Sequence, residues 1–217
     1  APPRAVLAAQ QAIRDEIELD PAQFLLRELA DTDGRGSPVN PRMRAAATRV
    51  AAFVGAAPDD LVFVDNATTG ANAVLRSFPF AAGDELLVTS LGYGGVTKAA
   101  EHAATAAGAT LRCVALPGPG EDLTDDAYVS RLTAAIGPRT RVAVIDHITS
   151  QSALVLPVAA MVAACRARGV RVLVDGAHAP GSVPLDIPAL GADWYVANLH
   201  KWAWTPRSSG ILWCAPE

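Results

Sequence analysis

The 217 residues carry 18 Lys and Arg against 22 Asp and Glu, a formal net charge of -4, with no run of basic residues. That balance excludes the basic footprint of a nucleic-acid binder. Apolar residues make up 51% of the chain, enough for one substantial core, so a soluble protein with a small-molecule partner is the expectation.

The N-terminal stretch "APPRAVLAAQQAIRDEI" runs straight into a charged amphipathic helix, without the apolar centre of a signal peptide. Over residues 1–60, "PPRAVLAAQQAIRDEIELDPAQFLLREL" carries apolar residues at helical spacing and "DTDGRGSPVNP" is built of loop formers, which predicts a helical and irregular N-terminal segment. From Leu61 the pattern changes. Short runs rich in Val, Ile and Leu ("LVFVD", "ELLVTS", "TLRCVAL", "TRVAVIDHI", "VRVLVD", "DWYVAN", "GILWCA") alternate with helical stretches such as "TTGANAVLRSF", "GGVTKAAEHAATAAG", "DDAYVSRLTAAIG" and "PVAAMVAACRARG". Continuous apolar strands separated by helices predict an α/β fold over 61–217, a three-layer sandwich with a mainly parallel sheet. The longest apolar run, Ala153 to Cys165, is broken by Pro157 and too short to cross a bilayer. Cys113, Cys165 and Cys214 lie far apart, which suits reduced thiols in a cytoplasmic compartment and offers no zinc site. A start at Ala1 and an end just after an apolar strand suggest a piece of a longer or processed chain.

Ligands of a parallel sheet gather outside the carboxyl ends of its strands, so the residues after each strand are the candidates. In "DNATTGAN", Thr68 and Thr69 open a helix either as plain N-caps or as an anion seat, where free N–H groups and the positive dipole end would hold a phosphate. Tyr93, between glycines in "SLGYGGV", is an exposed loop tyrosine or a flat face for stacking on a ligand ring. His147 and the polar run Thr149-Ser150-Gln151 serve a turn or a site. Asp175, closing "VRVLVD", either caps the next turn or stays charged against a cationic partner such as a protonated pyridine nitrogen. His178 stabilises that turn or hydrogen-bonds a ring, and His102 lies mid-helix without a role. Lys201, beside Trp202 and Trp204, is a snorkelling surface lysine or an amine made nucleophilic by apolar neighbours. Together these groups describe the protein's side of pyridoxal phosphate chemistry. A nicotinamide-binding fold is disfavoured because no Gly-x-Gly-x-x-Gly follows the first strand.

The segment "VLVDGAHAPGSVPLDIPALGADWYVANLHKWAWTPRSSGILW" resembles the lysine-bearing part of class V aminotransferase-fold enzymes, and the likeness runs from "LVFVDNATTGAN" to the C-terminus. Asp-x-x-His followed by Asn-x-His-Lys is most similar to the isopenicillin N epimerase-like branch; desulfurases usually carry Gln at the place of His178 and Ser-x-His-Lys at 198–201. The resemblance implies an aspartate-aminotransferase-like large domain (PLP fold type I) at 61–217, with catalytic Lys201, Asp175 and His178. It implies that Lys201 forms the Schiff base and carries the Cα proton, Asp175 pairs with the pyridinium nitrogen, and His178 lies beside the phenolic oxygen. Tyr93 matches the stacking position, Thr68, Thr69, Asn198 and His200 the phosphate positions, and Ser150 one near the ring oxygen. The implied protein is a pyridoxal 5'-phosphate enzyme acting at Cα of an amino acid, an epimerase or else a cysteine desulfurase, carbon–sulfur lyase or aminotransferase, and a homodimer. It needs no metal, nucleic acid or membrane. Family members are longer, so a C-terminal small domain bearing the arginine for the substrate carboxylate is expected outside these residues; a non-catalytic or split-chain domain is the remaining alternative.

Overall fold

The computed structural model describes residues 1–29 and 41–216. The loop expected at "DTDGRGSPVNP" therefore lies, Pro41 excepted, outside the described residues. Helix α1 (Arg4–Leu19) buries no side chain. It leads into a π-helical turn, Gln23–Leu29, whose Phe24 is buried under the guanidinium of Arg42 at 4.7 Å. Helix α2 (Arg42–Val54) instead buries a stripe of Ala47, Ala51 and Val54 at helical spacing. It ends on Gly55, at φ 73°, whose N–H returns to the Ala51 carbonyl. A Cβ there would come within 2.8 Å of Asp186 Cα, so both the left-handed cap and the close approach require glycine.

The alternation that follows is β1 (Leu61–Val64), α3 (Ala67–Ser77), β2 (Glu85–Thr89), α4 (Gly94–Ala106), β3 (Thr110–Val114), α5 (Asp125–Ala135) and β4 (Thr140–Asp146). It continues with α6 (Val158–Arg166), β5 (Arg171–Asp175), β6 (Trp194–Asn198) and β7 (Gly210–Cys214). The strands form one seven-stranded sheet ordered β1-β7-β6-β5-β4-β2-β3. Strand β7 runs antiparallel to both of its neighbours, β1 and β6, while the other pairs are parallel. Its direction follows from chain length: eleven residues, 199–209, separate it from β6, too few for the crossover that a parallel return needs.

The central strands are apolar throughout because both faces are covered. Val142, Val144, Leu173 and Val196 pack with α3 and α4, whereas Ala143, Ile145, Val172, Val174 and Tyr195 pack with α2, α5 and α6. Side chains thus alternate between two cores, and each fully buried Val, Leu or Ile contributes about 1.5–3 kcal/mol. The helices after β1 and β2 lie on one face and those after β3 and β4 on the other. Because β2 and β4 are adjacent, their outgoing loops part toward opposite faces and leave a crevice at the carboxyl ends, the place where α/β sheets bind ligands.

Candidate active site

Two neighbouring strand ends lie at the base of that crevice, and of their carboxyls Asp175 lines the cavity. Asp175 closes β5 and is 2% exposed; Asp146 closes β4, is its partner in register, and is 4% exposed. Asp175 is held from several sides. Its Oδ1 accepts the Ala177 N–H at 3.0 Å, its carbonyl accepts the His147 N–H at 2.8 Å, and the next residue, Gly176, donates to the Val196 carbonyl at 2.7 Å. Gly176 packs against the hydroxyl end of Tyr195, and a Cβ at that position would come within 2.1 Å of its Cζ and its hydroxyl oxygen. The Tyr195 hydroxyl meets His147 Nδ1 at 2.9 Å, both groups being buried. The result is a carboxyl whose second oxygen has no protein partner among the described residues.

Burial raises the Asp175 carboxyl above its ordinary value, opposed by the Ala177 N–H and by the charge of Lys201. Asp146 is pushed up to about 8, by burial first and by the charge of Asp175 second. Its Oδ1 accepts the Tyr93 N–H at 3.3 Å, so this carboxyl seats the glycine-flanked loop that carries Tyr93. Sequence reasoning assigned Asp146 no role, although it closes an apolar strand as Asp175 does, and that shared position was the available signal.

One wall is the start of α3. Asn66 caps the helix, its Oδ1 accepting the Thr69 N–H at 2.9 Å and the Thr69 hydroxyl at 3.3 Å. The buried Asn198 Oδ1 accepts the Ala67 N–H at 2.9 Å, which ties β6 to α3. Two of the N–H groups expected to be free are therefore occupied, and those of Asn66 and Thr68 are left without a partner among the described residues. Thr68 and Asn72, on one face of α3, line the cavity together with Arg76, a residue that the strand-end rule did not reach.

The opposite wall is the loop 199–209. The backbone N–H groups of Leu199 and His200 both donate to the Ser209 carbonyl, at 2.9 and 3.2 Å. His200 Nδ1 lies 2.9 Å from the same carbonyl and 3.3 Å from the Ser209 N–H, so Nε2 is the ring nitrogen without a protein partner among the described residues in either tautomer. Lys201 Nζ lies 2.8 Å from His178 Nε2 and 5.8 Å from the centre of the Tyr93 ring. Burial lowers the Lys201 amine below its ordinary value, against the pull of Asp175 and Asp146. The flanking tryptophans do not supply that burial alone, since Trp202 and Trp204 each remain 48% exposed. His178 is also lowered, by burial and then by the charge of Lys201.

These parts enclose a cavity of about 850 Å³. Thr68, Thr69, Tyr93, Asp175, Asn198, His200 and Lys201 line it, and His178 joins through Lys201. Ser150 lies in the turn after β4 and is not among the lining residues. Arg207 and Ser208, from the lysine-bearing loop, complete the rim. An unshared carboxyl oxygen on the floor, an aromatic face, a depressed amine and a polar helix start fit a flat pyridine bearing an aldehyde and a phosphate. No group of three or more His, Cys, Asp or Glu suited to a metal occurs among the described residues.

Comparison with known proteins gives a consistent result. Residues 31–217 match the family described as aminotransferase class-V. Putative L-cysteine desulfhydrase 1 of Oryza sativa subsp. japonica is 40% identical over 189 residues, 80% of this chain and 39% of that protein. Isopenicillin N epimerase of Amycolatopsis lactamdurans is 35% identical over 207 residues, 94% of this chain and 49% of that protein. The structure of a C-DES mutant with glycine covalently linked to the PLP cofactor aligns at a TM-score of 0.79 and 26% identity, covering 99% of this chain and 54% of that one. The chain spans about half the length, or less, of the relatives it matches.

Proposed function

This chain belongs to the aminotransferase class-V family, and on that premise we propose that it holds pyridoxal 5'-phosphate and acts at Cα of an amino acid. The observation that carries the proposal is the meeting, in one cavity, of Lys201, Asp175 and the start of α3. Lys201 is one of two lysines in the sequence. The other, Lys98, lies on the outer surface of α4 and is paired with Glu101 at 2.6 Å. Attachment to the cofactor aldehyde needs an amine that is partly neutral, and burial moves Lys201 in that direction.

The cofactor, when bound, supplies a ring that accepts the negative charge developing at Cα. Asp175 holds the proton on the ring nitrogen, where its ionised form is favoured by the positive charge it faces. Tyr93, on the cavity wall, would cover one face of the ring. His178 would exchange a hydrogen bond with the phenolic oxygen; Ser150, given by resemblance a place near that oxygen, lies outside the cavity lining. Thr68, Thr69, His200 and the Nδ2 amide of Asn198 would bind the phosphate, with Thr68 N–H as an unclaimed backbone donor. Lys201 Nζ would be the group that takes the proton from Cα and returns it.

Epimerisation is the leading outcome, in the manner of the isopenicillin N epimerase-like branch. Carbon–sulfur cleavage, desulfuration or transamination is the alternative, and the 40% identity to a desulfhydrase favours cleavage among these. Residues 61–217 serve as the cofactor-binding domain behind the segment 1–60, and two copies form a homodimer. Three free cysteines support a reducing, cytoplasmic setting; no described helix is long and apolar enough to cross a membrane.

Borohydride treatment of the protein incubated with pyridoxal phosphate should fix the cofactor on the peptide containing Lys201, with an absorbance band near the visible edge. Lys201→Ala should abolish the fixation; label recovered on Lys98, or retained in the variant, refutes the assignment. Deuterium exchange at Cα without product then indicates epimerisation, whereas pyruvate and sulfide release indicates cleavage.

A further inference from the structure

His178 stands between two nitrogen groups. Trp202 Nε1 lies 3.2 Å from its Nδ1 and Lys201 Nζ lies 2.8 Å from its Nε2. The approach of Trp202 is set by the backbone: Gly181, at φ 85°, sits so close to the Trp202 carbonyl that any Cβ would collide with it, which packs the turn after His178 directly on the residue after Lys201. An indole nitrogen is a donor only. Its contact with Nδ1 therefore requires a lone pair there and leaves the single proton of a neutral imidazole on Nε2. That Nε2–H points at Lys201, and an ammonium group has three protons and nothing with which to accept a fourth. The contact is a hydrogen bond only when Lys201 is the free amine.

We propose that Trp202 is a positioning residue: by donating to His178 Nδ1 it fixes the Nε2–H tautomer of His178 and so selects the neutral amine of Lys201. Each competing state brings two N–H groups face to face. An ammonium at Lys201 needs a lone pair on Nε2, hence a proton on Nδ1 opposite the indole N–H. A doubly protonated His178 has the same conflict. Trp202, with 48% of its surface exposed, thus acts through its nitrogen rather than as an apolar shield. The benefit to cofactor attachment rests on the function proposed above, but the hydrogen-bond order does not.

The test uses the intact protein freed of cofactor, with 15N in the rings of its four histidines and His178 identified by its loss in His178→Ala. The expected spectrum near neutral pH shows His178 protonated at Nε2 and unprotonated at Nδ1. Trp202→Phe, and separately the sulfur isostere benzothienylalanine at position 202, which keeps the shape and lacks the N–H, should give mixed tautomers. In both, the rate of reductive methylation at Lys201 by formaldehyde and borohydride, read by peptide mapping at fixed neutral pH, should fall about three- to tenfold, the worth of one neutral hydrogen bond. Lys201→Ala should keep the parent tautomer. A parent His178 protonated at Nδ1, an unchanged pattern in the isostere, or a tautomer lost in Lys201→Ala overturns the proposal. Cofactor fixed on Lys98 would instead remove the function proposed for Lys201 and leave the tautomer result standing.

Discussion

Asp175 retains 2% of its surface and is fixed through its own carboxyl, its carbonyl and the residue after it, whereas the loop carrying Lys201 leaves Trp202 and Trp204 at 48%. That loop also holds two non-glycine residues, Trp204 and Ser208, at φ 60°. The cavity floor is an extension of the sheet and inherits its rigidity from the core. The wall is a clamped loop that stores local strain, of order 1 kcal/mol per such residue. On the proposed function, a carboxylate that must meet a ring nitrogen at one angle belongs on the first kind of support. An amine that attaches, releases and moves a proton belongs on the second.

The sharpest way to break the floor is Gly176→Ala. Its methyl would collide with Cζ and the hydroxyl of Tyr195, and neither can move without parting Tyr195 from His147 or Asp175 from its N–H partners. The expected loss is about 3 kcal/mol or more, read as a fall in the urea midpoint at unchanged m-value. Tyr195→Phe, which removes only the hydroxyl that faces His147, should cost about 1–2 kcal/mol. Equal effects of the two substitutions would show that packing against Gly176 is not what holds the floor.

The next largest effect concerns Asp146, the carboxyl beside Asp175 that seats the Tyr93 loop. Asp146 holds its proton up to about pH 8 in the folded protein against an ordinary value of 3.8. Between those limits the folded protein binds a proton that the unfolded chain has released, so stability falls as pH rises through this window and levels above it. Asparagine keeps an acceptor for the Tyr93 N–H and does not titrate. Asp146→Asn should therefore gain on the parent between pH 5 and pH 8, by on the order of 1–3 kcal/mol, measured by urea unfolding at both pH values. A constant difference across that range would mean that Asp146 is ionised on folding and that solvent reaches the floor.

Both supports were partly legible before any coordinates. The alternation of apolar strands with helices marked the sheet, because strands covered on both faces have no polar positions to hide them. The chemistry at the ends of β5 and β6 stood out because Asp175 and Lys201 contradict their apolar surroundings. Asp146 contradicts its own in the same way, and the turn that follows it, with His147 and Thr149-Ser150-Gln151, draws attention away from it. The antiparallel course of β7 was contained in the eleven residues before it, yet a reading based on strand composition carries no direction. Asn198 was read by resemblance as a phosphate ligand; its Oδ1 is taken by the Ala67 N–H, a contact across 131 residues that no local pattern encodes. The bond from Trp202 to His178 is hidden for the same reason.

The smallest effect probes the wall. Ser208 lines the cavity at φ 60°, a conformation that costs an L-residue roughly 1 kcal/mol or more and glycine nothing. Glycine also loosens the unfolded chain, by about 0.4–1 kcal/mol, so Ser208→Gly should change stability by no more than about 0.5 kcal/mol in either direction. The useful reading is therefore not stability but order in the loop. If strain at Ser208 helps to hold Lys201 against His178, relieving it should speed amide exchange at Leu199 and His200, whose N–H groups share the Ser209 carbonyl, and leave exchange in β5 unchanged. Faster exchange in β5 as well would tie wall and floor into one unit and remove the distinction between them.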